Sequence, residues 1–252
     1  MLDPYSDKPE TDGSVLVKEG PLTEVTKAWS AAGFQVNIHA IGDKANRYVV
    51  NAMEASLRTL CPDEDLAICQ SKHRFRIEHA QIIHPDDQER IRTMRLIPSI
   101  QPTHATSDMK YAEDRLGPER TTTEAYRMKT FLNQGLDIVL GSDFPVEPPN
   151  PFHGIYAAVT RKDPKTGQGK DGSPTGWHAG ESLSVEEALS GFTTGPAYGG
   201  FMEGKAGLIK DGAWADWVVL DKPLEETDIE DFRHITVRET WVGGKMVYRR
   251  GV

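Results

Sequence analysis

Apolar positions along the chain follow two alternating rhythms. Leu22, Val25 and Trp29 recur at helical spacing, and Gly33 is placed to close that helix as a C-terminal cap. The run FQVNIHA (34–40) is short and β-rich, which predicts a strand. Gly42 and Asp43 then turn the chain. Asp43 is predicted as the N-cap of an amphipathic helix carrying Tyr48, Val49, Ala52, Met53 and Leu57. RFRIEHA (74–80) predicts a second strand, and Pro85 suits the first turn of a helix carrying Ile91 and Met94. LIPSIQP (96–102) is a third apolar run. Thr122 or Thr123 is expected to open a helix with Tyr126, Phe131 and Leu132 that ends at Gly135, and DIVLGSD (137–143) is a fourth strand. Strands alternating with helices, over connections long enough for crossovers, predict an α/β fold with a parallel sheet.

Residues 145–180 are rich in Pro, Gly and Lys and read as a long loop, interrupted by an apolar stretch from Tyr156 to Val159. Ser184 and Glu187 have the spacing of a capping box for a helix running through Leu189. From Gly207 the rhythm changes. GLIKDGAWADWVVLD and ETWVGGKMVYRRG predict short strands, with Gly243–Gly244 as a two-residue hairpin turn.

Composition narrows the classes of function. The chain is 38% hydrophobic and 27% charged, with five Trp and eight Phe, as in an ordinary globular protein. Its net charge of −9 argues against nucleic acid as a partner, because phosphate binding needs a basic face. It has no apolar run of the ~20 residues needed to cross a bilayer, so no membrane partner is expected. The opening MLDPYSDKPETDG lacks the basic and apolar regions of a signal peptide, which makes a cytoplasmic location the expectation. In that compartment Cys61 and Cys69 are expected as reduced thiols, without enough Cys or His at short spacing around them to make a zinc site.

The chemistry lies at strand ends. His39 ends the first strand, His79 the second, Gln101 the third and Asp143 the fourth. C-terminal ends of parallel strands converge, and two imidazoles with a carboxylate suit a divalent metal. A single histidine ending an apolar strand is more often a hydrogen-bonded structural residue than a ligand; two at matching positions, with an aspartate at the matching position of a later strand, point to ligands instead. Glu78 alternates to the opposite side of its strand and reads as structural. His104, just past the third strand, is a candidate substrate contact, as is Gln101. His73, His84, His153, His178 and His234 fall in loops or at element edges and are not expected to be ligands. There is no G-x-S-x-G elbow, no G-x-G-x-x-G after a strand and no P-loop.

The motifs QVNIHAIGDKAN, FRIEHAQIIHPDDQERI, IPSIQPTHATSDM and LDIVLGSDFPVEPPNPFHGIYAAVTR, with the SVEEAL–TGPA stretch, resemble the amidohydrolase 3 group of the metal-dependent amidohydrolases over nearly the whole chain. The resemblance implies the C-terminal half of a TIM-like (β/α)8 barrel, about strands five to eight, over residues 1–204. It also implies part of a small β-sandwich over residues 205–252. By the same resemblance His39, His79 and Asp143 are metal ligands, to zinc in one or two ions. Asp143 also takes the proton of the attacking water, and His79 helps polarise the scissile carbonyl. The reaction implied is hydrolysis of a non-peptide C–N bond in a small amide-like molecule.

The same resemblance exposes a departure. The family's first strand supplies an H-x-H pair and its fourth a bridging residue, and this chain contains no H-x-H. A complete barrel takes ~250 residues by itself. The chain therefore reads as a fragment, expected to associate with itself or with a missing N-terminal half. The alternative is a catalytically inactive remnant acting as a binding or interaction protein.

Overall fold

Through the first 140 residues short strands are separated by one to three helices, as the two rhythms of apolar positions lead one to expect. A computed structural model describes residues 1–251. In chain order it contains α1 (Glu19–Ala31), β1 (Asn37–Ala40), α2 (Asp43–Leu60), α3 (Leu66–His73), β2 (Arg76–His79), α4 (Pro85–Met94) and β3 (Ile97–Ile100). There follow α5 (Pro102–Asp108), α6 (Ala112–Glu124), α7 (Met128–Asn133), β4 (Val139–Leu140) and α8 (Pro151–Thr160). The chain continues with α9 (Val185–Phe192), α10 (Thr194–Gly199), β5 (Trp217–Leu220), β6 (Val237–Val242) and β7 (Lys245–Arg249). The residues form two compact units, one of Met1–Ile100 with Asp108–Ile138, the other of Gln101–Ser107 with the chain from Val139 onward.

In the first unit β1, β2 and β3 pair in parallel, with Ile38 opposite Ile77 and Ile77 opposite Pro98. The amphipathic helix α2 buries Val49, Ala52, Met53 and Leu57, as its apolar spacing predicts. Asn46, on its first turns and fully buried, brings Nδ2 within 3.3 Å of the carbonyl oxygens of Ala40, Ile41, Gly42 and Ile82. One amide group thus ties together the chain segments leaving β1 and β2. Asp43 is not the N-cap: Gly42 holds that position, and Asp43 is the first helical residue. Its carboxylate instead accepts the Leu2 amide at 2.8 Å.

The apolar residues of α1 do not mark its buried side. Val25 and Trp29 are exposed, while Thr26 and Ser30 are buried with their hydroxyls bonded back to Leu22 and Lys27 carbonyls. Trp29 packs edge-on against Phe34, at 5.0 Å between ring centroids. The Thr122/Thr123 start of the following helix is also displaced. Both residues end α6, where their hydroxyls bond to the carbonyls of Pro118 and Glu119, and the helix carrying Phe131 begins only at Met128. A β-hydroxyl can satisfy an i−4 carbonyl as readily as a helix N-terminus, so threonine alone does not locate a start.

Cys61 and Cys69, expected as thiols, are joined in a disulfide. Cys61 caps the C-terminus of α2, and Asp65 N-caps α3 by accepting the Ala67 amide at 2.8 Å. The acidic turn between them doubles the chain back, which brings the two Cα atoms to 6.1 Å. That separation suits a bridge.

In the second unit, the apolar stretch inside the expected 145–180 loop is the helix α8. Asn150 caps it by accepting the Phe152 amide at 3.1 Å, Pro151 fills its first turn, and Phe152, Ile155 and Tyr156 are buried. Here a cap, a proline and a four-residue apolar period outweigh the flanking Pro and Gly. The Ser184–Glu187 capping box is present in both directions, at 3.1 and 2.7 Å. β5, β6 and β7 form an antiparallel sheet. Gly243 and Gly244 turn β6 into β7 with φ of 58° and 71°, the paired positive values that a two-residue hairpin of matching twist needs.

Candidate functional site

In the first unit, the parallel register places His39 opposite Glu78 and Ala40 opposite His79. The two imidazoles meet across the neighbouring strands, with ring centroids 4.2 Å apart and planes at 69°. His79 is buried and His39 exposed. His79 and Ala80 hold φ of 72° and 45°, a left-handed turn that ends β2 abruptly. Non-glycine residues adopt it at a cost and are found there where surrounding structure holds them. The Glu78 carboxylate accepts from Arg76 at 2.9 Å.

Two cavities adjoin these strand ends. One, of about 610 Å³, is lined by His39 with Leu16, Val17, Ile38 and Tyr48. The other, of about 470 Å³, lies beside Gln81, two residues past His79. Its polar wall is a network that the sequence reading missed. Gln81 Nε2 donates to Tyr126 Oη at 2.6 Å and to Asp108 Oδ2 at 2.9 Å. Tyr126 and Tyr111 both donate to the Asp108 carboxylate. Burial and the bond to Asp108 push the Tyr111 hydroxyl up to about 12, so it stays a donor at neutral pH. The only sequence signal for this group is a set of polar residues just beyond strand ends, on segments far apart in the chain.

In the second unit, Gln101 and His104 are buried, and the Gln101 carbonyl accepts the His104 amide at 3.1 Å. His104 Nε2 lies 3.9 Å from Asp143 Oδ2. Asp143 follows β4 with φ of 57°, and its carbonyl accepts the Val146 amide at 2.8 Å, so it heads a tight turn that presents the carboxylate. Like His79, the last residue of β2, it is a non-glycine residue held left-handed where a strand ends.

The fold thus gathers the candidates in pairs: His39 with His79 in one unit, His104 with Asp143 in the other. Imidazole and an accessible carboxylate are donor types that a divalent ion takes. Of the histidines set aside in the sequence, His73 is the exception: a ring nitrogen lies within 4.8 Å of both cysteine sulfurs.

Parallel βα units with imidazoles and a carboxylate at or just past the ends of their strands define an α/β protein with candidate divalent-metal ligands. The chain belongs to the amidohydrolase family, which its sequence matches over residues 1–248. It is 34% identical to Protein LONG AFTER FAR-RED 3 of Arabidopsis thaliana, covering 97% of this chain and 39% of that one. It is 31% identical to the putative amidohydrolase YtcJ of Bacillus subtilis (strain 168), covering 99% of this chain and 44% of that one. Among solved structures, an uncharacterized metal-dependent hydrolase from Pyrococcus furiosus aligns with a TM-score of 0.66 at 30% identity, covering 84% of this chain and 38% of that one. The chain therefore spans about two-fifths of the length of the curated relatives it matches. Among the described residues, no helix is long and apolar enough to cross a membrane.

Proposed function

We propose that this chain contributes metal ligands and a proton-transfer group to a hydrolase acting on non-peptide C–N bonds of small amide-like molecules. The observation that carries the reading is the meeting of His39 and His79 at the ends of neighbouring parallel strands. In this proposal His39, His79 and Asp143 hold a divalent ion, zinc by the preference of imidazole and carboxylate donors. Such an ion lowers the pKa of a water towards ~7 and draws charge from a carbonyl. The Asp143 carboxylate orients the attacking water, takes its proton and returns it to the leaving nitrogen. The His79 ring helps to stabilise charge on the scissile oxygen. Gln101 and His104 contact the substrate.

The same proposal takes β1 to β4 as about strands five to eight of a TIM-like barrel spanning residues 1–204, with 205–252 as a β-sandwich segment. The remaining family ligands then come from an N-terminal half, so activity depends on that half. Exposed Leu16, Val17, Val25 and Trp29 on the first unit support association with it or with a second copy. A cytoplasmic location completes the proposal and is checked by cell fractionation.

Elemental mass spectrometry of the non-reduced chain tests the metal assignment. Near-stoichiometric metal in the wild type and its loss in His39→Ala/His79→Ala support it; no metal in either folded protein overturns it. Hydrolysis of simple amides only after adding a relative's N-terminal half supports the division of ligands. Full activity of the chain alone sinks it.

A further inference from the structure

Away from the strand ends, α2 and α3 bring together three side chains that nothing in the proposed hydrolysis uses. Cys61 stands at the C-terminus of α2, and Cys69 and His73 lie four residues apart on α3. That spacing puts Cys69 and His73 on one helical face, which the α2 terminus abuts. The two sulfurs and a His73 ring nitrogen all lie within 4.8 Å of one another. Cys69 is fully buried, whereas Cys61 and His73 are partly exposed, so the cluster opens to solvent on one side.

Here the sulfurs are bonded to each other. A metal cannot use them in that state, because the ligand is the thiolate. We propose that Cys61, Cys69 and His73 form a thiol-gated site for a zinc-like divalent cation, closed by the disulfide and opened by its reduction. Two electrons and two protons from a dithiol reductant convert the disulfide to two thiols, and the reductant leaves as its own disulfide. Binding of the cation then releases both thiol protons and leaves two thiolates and one neutral imidazole as ligands. With Zn–S near ~2.3 Å and Zn–N near ~2.0 Å, ligand atoms separate to roughly 3.5–4 Å, a small adjustment once the S–S bond is broken. Water takes the fourth position on the open side. Glu64 and Lys72 pair with each other at 2.6 Å nearby, so their charges offset. In a reducing compartment the site is open; in an oxidising one it is a structural bridge.

The test uses the full chain carrying His39→Ala/His79→Ala, which removes the other imidazole pair. Cobalt(II) is titrated into the phosphine-reduced, desalted protein without oxygen, and thiolate-to-cobalt charge-transfer absorption is read. A band saturating at one cobalt per chain is expected after reduction. It should be missing from the oxidised protein and from Cys61→Ser or Cys69→Ser, and His73→Ala should bind roughly tenfold more weakly or worse. In the chain with all three residues intact, zinc should slow maleimide alkylation of both thiols, a readout independent of how the serine variants fold. Absence of the band in reduced protein with two titratable thiols overturns the site, as does unaltered affinity in His73→Ala.

Discussion

His39 and His79 face each other at 4.2 Å across two parallel strands, although forty residues separate them in the chain. Register brings the pair together, since Ala40 stands opposite His79, whose backbone is left-handed. The backbone conformation also constrains which substitution is informative. Asn tolerates positive φ, whereas β-branched residues do not. His79→Asn is expected to unfold within about 1 kcal/mol of the wild type and to lose bound metal. His79→Val should lose metal and also fold less stably. Chemical denaturation alongside elemental analysis separates the two effects.

Asn46 holds these strand ends from beneath. Its amide is the shared donor for the carbonyls following β1 and near the end of β2. Asn46→Ala leaves buried carbonyls without that donor, at a cost of about 1–3 kcal/mol. Urea denaturation should show the loss, and hydrogen exchange should quicken at the amides of 41–46. An unchanged denaturation midpoint would count against the clamp.

Glu124 is a buried carboxyl whose Oε2 has no hydrogen-bond partner among the described residues. Burial, with the negative charge of Asp43, raises its pKa above the ordinary carboxylate range. A raised folded-state pKa means that the protonated form is favoured on folding. That stability is fully present below the unfolded pKa and is lost as pH rises through the folded one. Glu124→Gln should therefore stabilise the protein at neutral pH by on the order of 1 kcal/mol. The gain should shrink towards zero below about pH 4. Thermal melts of both proteins across that range provide the comparison, and a gain independent of pH would refute the titration.

Gly176 marks a close approach in the second unit. A Cβ there would stand 1.9 Å from the Thr160 carbonyl oxygen and 2.9 Å from Arg161 Cβ. The obstacle is backbone at the end of α8, where Arg161 Nε donates to the Trp177 carbonyl at 3.0 Å in a fully buried setting. Gly176→Ala should cost about 1–3 kcal/mol or more, with a lowered melting temperature as the measure. Gly180→Ala, which meets nothing within 4 Å, serves as the control.

What the sequence determined by itself is local and periodic. Alternating apolar runs located β1, β2 and β3, the apolar spacing located α2, and Ser184–Glu187 and Gly243–Gly244 marked a cap and a hairpin, because each depends on residues within a few positions. That His39 and His79 fall in the last residues of β1 and β2, and Asp143 shortly after β4, was legible for the same reason. Tertiary structure decided the rest. It set whether Val25 and Trp29 face inward, made Thr122 and Thr123 the end of a helix, and assembled Gln81, Asp108, Tyr111 and Tyr126 into one network. It also folded the acidic turn so that Cys69 returns to Cys61 with His73 beside them. Those outcomes depend on which distant segments the chain brings together, and one-dimensional periodicity carries no term for such contacts.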